Sequence, residues 1–186
     1  MYLNNKYYVK QNAVSKEIYN KVIKIGQKKK FKKGEILEGN QNNRSSKISW
    51  ITDKTLDLEL IKPIQYANHQ AGWNFSLFEF EPFQYTVYNK NDFYNYHIDS
   101  LSEPYPNGLI RKLSFTLCLN DSYEGGELEI TVPNPKEEDE ISVIDLKGFK
   151  PGTMVIFPSF VWHRVKPVTK GTRKVLVGWV LGNQWS

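Results

Sequence analysis

Residues 84–99 read QYTVYNKNDFYNYHID, and the fold of the chain turns on this stretch. Gln84, Thr86 and Tyr88 alternate with Tyr85 and Val87, the period-two pattern of a half-buried β-strand. Asn89 to Asn91 are turn residues, and the aromatic run that follows predicts a second strand over 93–98. Successive side chains of a strand take opposite faces, so His97 and Asp99 share a side with Ile98 behind them. One more imidazole would complete a metal face. The chain has only three histidines, and His163 is the one in position to do so, with Arg173 ten residues further on. Two neutral imidazoles and one carboxylate on one side of an ion leave the opposite positions open, a donor set that suits a non-haem Fe(II) centre. The plainer alternative is a hydrogen-bonded His97–Asp99 pair at a strand end, with His163 satisfied in the core.

Short alternating apolar and aromatic runs extend from Asn74 to the C-terminus, and they predict an antiparallel all-β unit. The strands fall near 74–80, 83–88, 93–98, 110–119, 126–131, 141–145, 153–157, 161–166 and 173–182. Gly125-Gly126 reads as a turn that brings the next strand close to its neighbour. Ahead of this unit, Val14, Ile18, Val22 and Ile25 recur at helical spacing and predict a helix over 14–29. A polar loop follows over 28–47, then a short strand at 48–51. Asp53 is placed to cap a second helix through Leu56, Leu60, Ile61 and Ile64, which Pro63 should kink or restart. The expected architecture is a single domain over 1–186, mainly β with flanking N-terminal helices (α+β). Residues 1–72 form helical support and loop, and 73–186 form a cupin-like jelly-roll core.

With 186 residues the chain can bury one sizeable core, and its aromatic content of 14% fits a packed domain. No run approaches twenty apolar residues and the first thirty lack an apolar signal core, so a cytoplasmic protein with no membrane contact is expected. Cys118 is the only cysteine, which excludes an internal disulfide and a cysteine-built zinc site. The net charge of +5 comes from residues 1–50, which hold twelve Lys or Arg against three Glu. A solvated basic helix and loop explain that excess more simply than nucleic acid does.

Taken together, QYTVYNKNDFYNYHID, RKLSFTLCLN, GGELEI and FPSFVWHRVKPVTKGTRKVLVGW resemble the Fe(II)/2-oxoglutarate dioxygenases, and most closely their prolyl 4-hydroxylase-like branch. The resemblance covers about residues 74–182. It implies a double-stranded β-helix, Fe(II), 2-oxoglutarate and O2 as co-reactants, and ascorbate as a reductant. His97, Asp99 and His163 stand at the family's metal-ligand positions. Arg173 stands where a basic residue grips the far carboxylate of 2-oxoglutarate, a task suited to a guanidinium fork. Tyr88 matches a tyrosine lining that site. Ser114, Thr116 and Cys118 share a strand face from which Thr116 or Ser114 would touch the cosubstrate, with Cys118 where several relatives have a tyrosine. Val175, Val177 and Trp179 follow Arg173 on one face and would wall the same pocket. Gln84 shares the face of Tyr88. Arg111 aligns with a substrate-facing arginine, but by simple alternation it points away from Ser114, so that role requires a β-bulge. His69 falls in the helical region and is not expected to bind metal.

The activity implied is oxidative decarboxylation of 2-oxoglutarate to succinate and CO2, coupled to hydroxylation of a prolyl residue in a protein or peptide. A free amino acid or other small molecule is the alternative substrate, and a non-catalytic metal-binding jelly roll the alternative class. A cupin-like enzyme without 2-oxoglutarate would have no use for Arg173 at this register. Relatives that demethylate nucleic acid carry a second arginine where this chain has Trp179. The loops 28–47 and 100–110 are the expected covers of the substrate site.

Overall fold

The computed structural model describes residues 5–34, 43–132, 140–144 and 149–184. Among the described residues two helices lie ahead of Glu79, interspersed with short strands. α1 (Lys16–Lys28) begins at Ser15, whose hydroxyl accepts from the Ile18 amide, and it presses Gly26 against the Tyr85 ring, where a Cβ would lie 2.3 Å from the ring carbon. α2 (Lys54–Gln70) starts at Asp53, whose carboxylate accepts from the Thr55 and Leu56 amides. It runs uninterrupted through Pro63, so the chain does not restart there. Leu56, Leu60 and Ile64 are fully buried, each contributing about 1.5–3 kcal/mol, and together they outweigh the roughly 3 kcal/mol cost of an interior proline. No described helix is long and apolar enough to cross a membrane.

Among the described residues, fifteen strands make up most of the rest. They are β1 (Tyr8–Lys10), β2 (Lys32–Lys33), β3 (Arg44–Ser45), β4 (Lys47–Ile51), β5 (Glu79–Phe80), β6 (Phe83–Tyr88), β7 (Phe93–His97) and β8 (Ile110–Cys118). The second half adds β9 (Tyr123–Gly125), β10 (Leu128–Val132), β11 (Glu140–Ile144), β12 (Met154–Pro158), β13 (Trp162–Val165), β14 (Val168–Gly171) and β15 (Arg173–Gly182). A major sheet runs β1-β12-β8-β15-β6-β4-β2, with β5 paired to the end of β15. A minor sheet runs β11-β10-β13-β7-β3, and β9 and β14 form a separate pair. Every pairing is antiparallel.

Two cores lie on the two faces of the major sheet. On one face Phe83, Tyr85, Leu113, Phe115, Leu176 and Val180 pack against Val22, Leu56, Leu60 and Ile64 of the helices. On the other, Tyr88, Cys118, Val155, Phe157 and Val175 meet Leu128, Ile130, Ile144 and Val165 of the minor sheet. The result is helices, major sheet and minor sheet in that order, the double-stranded β-helix with outer helices that the sequence predicts.

Several expectations need correction. The strand over 74–80 shrinks to Glu79–Phe80, because Phe75 and Leu77 pack on the helix-side core outside any strand. The loop over 28–47 is broken by β2 and β3, and its residues 35–42 lie outside those described. Gly125 and Gly126 do turn the chain, both with positive φ, but Gly125 is also the last residue of β9.

Candidate active site

Nine residues singled out from the sequence line one cavity of about 840 Å³ between the two sheets: His97, Asp99, His163, Arg173, Tyr88, Thr116, Trp179, Gln84 and Arg111. His97 closes β7, and β13 sets His163 directly beside it as a cross-strand pair. Strand geometry stops at His97. Asp99 is held beyond it by its amide and that of Ser100, which both donate to the Ser159 carbonyl, at 2.9 and 3.0 Å. The break in alternation also brings Ile98 to the cavity, where it lies exposed on the wall instead of behind the ligands.

The Asp99 carboxylate lies 3.7 Å from His97 Nε2 and 3.4 Å from His163 Nε2, and the three donor atoms fall within 4.8 Å of one another. His97 Nδ1 donates to the Asn95 carbonyl at 2.8 Å and His163 Nδ1 to the Val161 carbonyl at 2.9 Å. A carbonyl can only accept, so each Nδ1 carries a proton, and in the neutral ring this leaves the Nε2 lone pair for a metal. Tyr94 stacks on His97 with 3.5 Å between ring centroids, and Phe157 packs on His163 at 4.6 Å. Burial, reinforced by His163, pulls the His97 imidazole down to about 3, which keeps it neutral at physiological pH. Burial opposes the charge of Asp99, but His163, His97 and Arg111 outweigh it and hold the carboxyl at about 2. Two imidazole nitrogens and one carboxylate oxygen converging from one side fit a divalent transition metal, and Fe(II) in particular. Among the described residues this is the only such cluster.

At the other end of the cavity, Arg173 opens β15 opposite Tyr88, its guanidinium 5.2 Å above the Tyr88 ring. It is 1% exposed, and neither Nε nor Nη2 has a hydrogen-bond partner. A buried guanidinium with idle donors calls for an anion, and a carboxylate matches its two-pronged geometry. The donor set thus fits 2-oxoglutarate as well as iron. Gly126 makes room for this side chain, since a Cβ there would lie 2.9 Å from Arg173 Cδ. Thr116 faces the same cavity, while Cys118 is buried in the inter-sheet core, where burial raises its thiol to about 11.

Trp179 lies six residues along β15 from Arg173, about 20 Å at strand rise. Its neighbours are Arg111, stacked 4.1 Å over the ring, and Trp50, so it walls the end away from Arg173. Arg111 reaches the cavity because β8 contains a bulge: Val180 pairs with Leu113 but Leu181 pairs with Arg111, which leaves Lys112 as the extra residue. Its guanidinium donates to both Glu81 oxygens, Nε at 2.5 and Nη2 at 2.6 Å, and through Nη1 to the Asp99 carbonyl at 3.2 Å. Tyr105, from the 100–110 loop, donates to the same Glu81 carboxylate at 2.9 Å. Gln84 accepts from Arg44 Nη2 at 2.6 Å, and Arg44 lies 4.6 Å over the Tyr94 ring. His69 sits at the end of α2, apart from the cavity. Sequence reasoning missed Arg44, Glu81, Tyr94 and Tyr105. Arg44 and Tyr105 lie in stretches read as loop, and the only available signal was that both loops were expected to cover the site.

The family model described as the 2OG-Fe(II) oxygenase superfamily matches residues 83–181. A PKHD-type hydroxylase of Prochlorococcus marinus is 32% identical over 148 residues, 77% of this chain and 57% of that protein. One from Hyphomonas neptunium is 39% identical over 105 residues, 55% of this chain and 43% of that protein. The chain spans about half the length of these relatives. Among solved structures, a Pseudomonas putida prolyl-4-hydroxylase superposes with a TM-score of 0.72 at 17% identity, covering 98% of this chain and 95% of that one. A Trichoplax adhaerens prolyl hydroxylase, solved with a fragment of the hypoxia inducible factor oxygen degradation domain, gives 0.65 at 20% identity and covers 95% and 84%. These likenesses carry the fold, while the matched family model, spanning the strands that bear the cavity, carries the kinship: the chain belongs to the 2OG-Fe(II) oxygenase superfamily.

Proposed function

We propose that this protein is an Fe(II)- and 2-oxoglutarate-dependent dioxygenase that hydroxylates prolyl residues of a protein or peptide. The observation that supports it best is Arg173, a buried guanidinium with two idle donors in the same cavity as a complete two-histidine, one-carboxylate cluster. His97, Asp99 and His163 would hold Fe(II). When bound, the metal supplies oxygen activation, which couples oxidative decarboxylation of 2-oxoglutarate to C–H hydroxylation. Arg173 anchors the far carboxylate of the cosubstrate, and Tyr88 and Thr116 line its side of the cavity. Burial keeps water from competing for that ion pair.

The opposite side is left for substrate. Arg111, fixed by Glu81, Trp179 and the Asp99 carbonyl, stands next to the metal-ligand cluster, and Tyr105 ties the 100–110 loop to the same carboxylate. Trp50, Ile98 and Trp162 are exposed large hydrophobic residues on the cavity wall, a surface suited to the ring and flanks of a prolyl peptide. Ascorbate would serve only to restore reduced iron.

The test is succinate formation from 2-oxoglutarate with Fe(II) and O2, with proline-bearing peptides screened by mass spectrometry for gain of one oxygen atom. The wild type should turn over, and His163→Ala and Arg173→Ala should not. Absence of 2-oxoglutarate binding and turnover in the wild type would sink the proposal. Oxygen gained only by a free amino acid would move the substrate to the small-molecule class.

A further inference from the structure

The two strands that carry the candidate histidines fall out of step just where the site begins. β13 meets β7 at His163 opposite His97 and at Val165 opposite Tyr94, and the register shifts between these pairs. On β13 only Arg164 lies between them, whereas on β7 both Asn95 and Tyr96 do. Two residues facing one make a β-bulge, with β7 as the bulged strand. The extra residue lets Tyr94 and His97, three apart in sequence, stack on each other at 3.5 Å on the cavity wall. Strict alternation would send them to opposite faces. The bulge also supplies the Asn95 carbonyl that accepts from His97 Nδ1.

Glu129 of β10 ties this bulge together. It faces Arg164 across the β10–β13 ladder, one step from Ile130, which faces His163. A single carboxylate oxygen, Oε2, accepts from the Tyr96 hydroxyl at 2.9 Å and from Arg164 Nε at 2.5 Å. Lys166 Nζ lies 3.8 Å from the other oxygen, and the Arg164 guanidinium lies 4.6 Å over the Tyr96 ring. One carboxylate thus joins a residue of the bulge to the residue that the bulge faces, and these two are the immediate chain neighbours of His97 and His163. Leu128 and Ile130 on either side of Glu129 point into the inter-sheet core, so the opposite face of β10 would ordinarily leave an acidic side chain solvated. Glu129 is instead 5% exposed. Burial opposes its charge, but Arg164, Tyr96 and Lys166 outweigh it and hold the carboxyl below its ordinary range.

We propose that Glu129 is a positioning residue that locks the bulge and so sets the separation and angle of the His97 and His163 imidazoles. The inference rests on His97, Asp99 and His163 being the metal ligands. A bulge interrupts the ladder and leaves a residue without a cross-strand partner, so the backbone around it needs a hold from elsewhere. Slippage by one residue would erase the bulge and turn His97 off the cavity face, since register decides which face a strand residue takes. The carboxylate resists that slippage because its two donors belong to the two strands, and neither can shift without losing a strong hydrogen bond to an anion. The geometry held in this way has the two ring centroids 4.1 Å apart, with 54° between their planes. Groups behind metal ligands generally set ligand orientation and affinity.

The experiment is Co(II) titration of the metal-free full chain, followed by visible absorption, with thermal unfolding of the same samples without metal. Glu129→Ala should weaken Co(II) binding about 10–100-fold and shift the visible bands as the ligand geometry changes. Glu129→Gln, whose amide oxygen still accepts from both donors, should bind more tightly than the alanine variant, with bands near those of the wild type. Tyr96→Phe removes one donor and should weaken binding less than Glu129→Ala, and the double variant should be no worse than Glu129→Ala alone. Asp53→Ala removes a helix cap and the Lys21 ion pair away from the cavity. It should lower the unfolding temperature and leave affinity and bands at wild-type values. If Glu129→Ala and Glu129→Gln likewise lower only the unfolding temperature, Glu129 is an ordinary ion pair between strands and the inference is overturned. A comparable loss of affinity in Asp53→Ala overturns it too, because general destabilisation would then suffice. A wild type that binds no Co(II) removes the ligand set and the inference with it. None of these readouts needs turnover, so the pinned bulge and the proposed prolyl hydroxylation fail separately.

Discussion

Replacing Arg173 with methionine should make the ligand-free protein more stable while abolishing its response to 2-oxoglutarate. The guanidinium is 1% exposed and two of its donor nitrogens are idle. An unsatisfied buried donor costs roughly 1–3 kcal/mol, and an uncompensated buried ion costs several kcal/mol. Against this stands the Tyr88 ring at 5.2 Å, a contact worth about 0.5–2 kcal/mol. Methionine is unbranched and fills irregular apolar space, so it can occupy the path of the arginine stem beside Gly126 and Val168. The net expectation is a gain of about 1–4 kcal/mol, which for a chain of this size raises Tm by roughly 2–4 °C per kcal/mol. The ligand response should invert that order. With Mn(II) present and 2-oxoglutarate at about 100 times its Kd, the wild type should gain about 2.7 kcal/mol, and the variant should gain nothing. Differential scanning calorimetry of both proteins, with and without 2-oxoglutarate, supplies all four values. An Arg173→Met variant that melts below the wild type without ligand, yet still shifts upward with it, would refute the argument that Arg173 is strained in wait for an anion.

Two other perturbations act on the same site from outside its ligands. Gly126→Ala places a Cβ 2.9 Å from Arg173 Cδ and 3.1 Å from Val168 Cγ2, at a residue with φ +68°. Losing one hydrogen bond to the displaced guanidinium should weaken 2-oxoglutarate binding about 10–100-fold, measured by calorimetric titration, while Co(II) affinity stays within about twofold. Lowering the pH should destabilise the metal-free protein between about 6.5 and 3. His97 is depressed to about 3 by burial, so across that window the unfolded chain holds the extra proton and stability rises with pH. The slope should approach about 1.4 kcal/mol per pH unit, with Asp99 adding to the loss below its ordinary range. Urea titrations at pH 7 and 4.5 measure it, and a profile as flat as that of His97→Gln would count against the buried neutral imidazole.

The strands that carry the site were the most legible part of the chain. β6 and β15 fall where alternation puts them, because both lie between sheets or between sheet and helices, where one face must be apolar. The short strands β1, β2, β3 and β14 left no such trace: they are two to four residues long, partly exposed, and defined by cross-strand pairing more than by their own pattern. His97, His163 and Arg173 could be found because metal and carboxylate chemistry restrict residue type. Arg44, Glu81 and Tyr105 could not, since their importance lies in contacts between positions far apart in sequence, and an arginine or glutamate in a polar stretch looks like any solvated charge. Arg111 falls between these cases. Alternation put it on the wrong face, and the condition that would reverse this, a bulge, depends on the partner strand.

The extra residue in β8 has a consequence for the whole strand. On one side of Lys112 the strand keeps step with β12 from Leu113 to Leu117 and with β15 from Leu113 to Cys118, and on the other it is out of step with β15 by one position. The two stretches are therefore separately phased, one carrying Thr116 on the cavity wall, the other carrying Arg111. Changes of length or sequence ahead of the bulge are absorbed there and do not rotate Ser114 or Thr116. A strand so divided lets the entrance diversify while the reaction centre stays fixed.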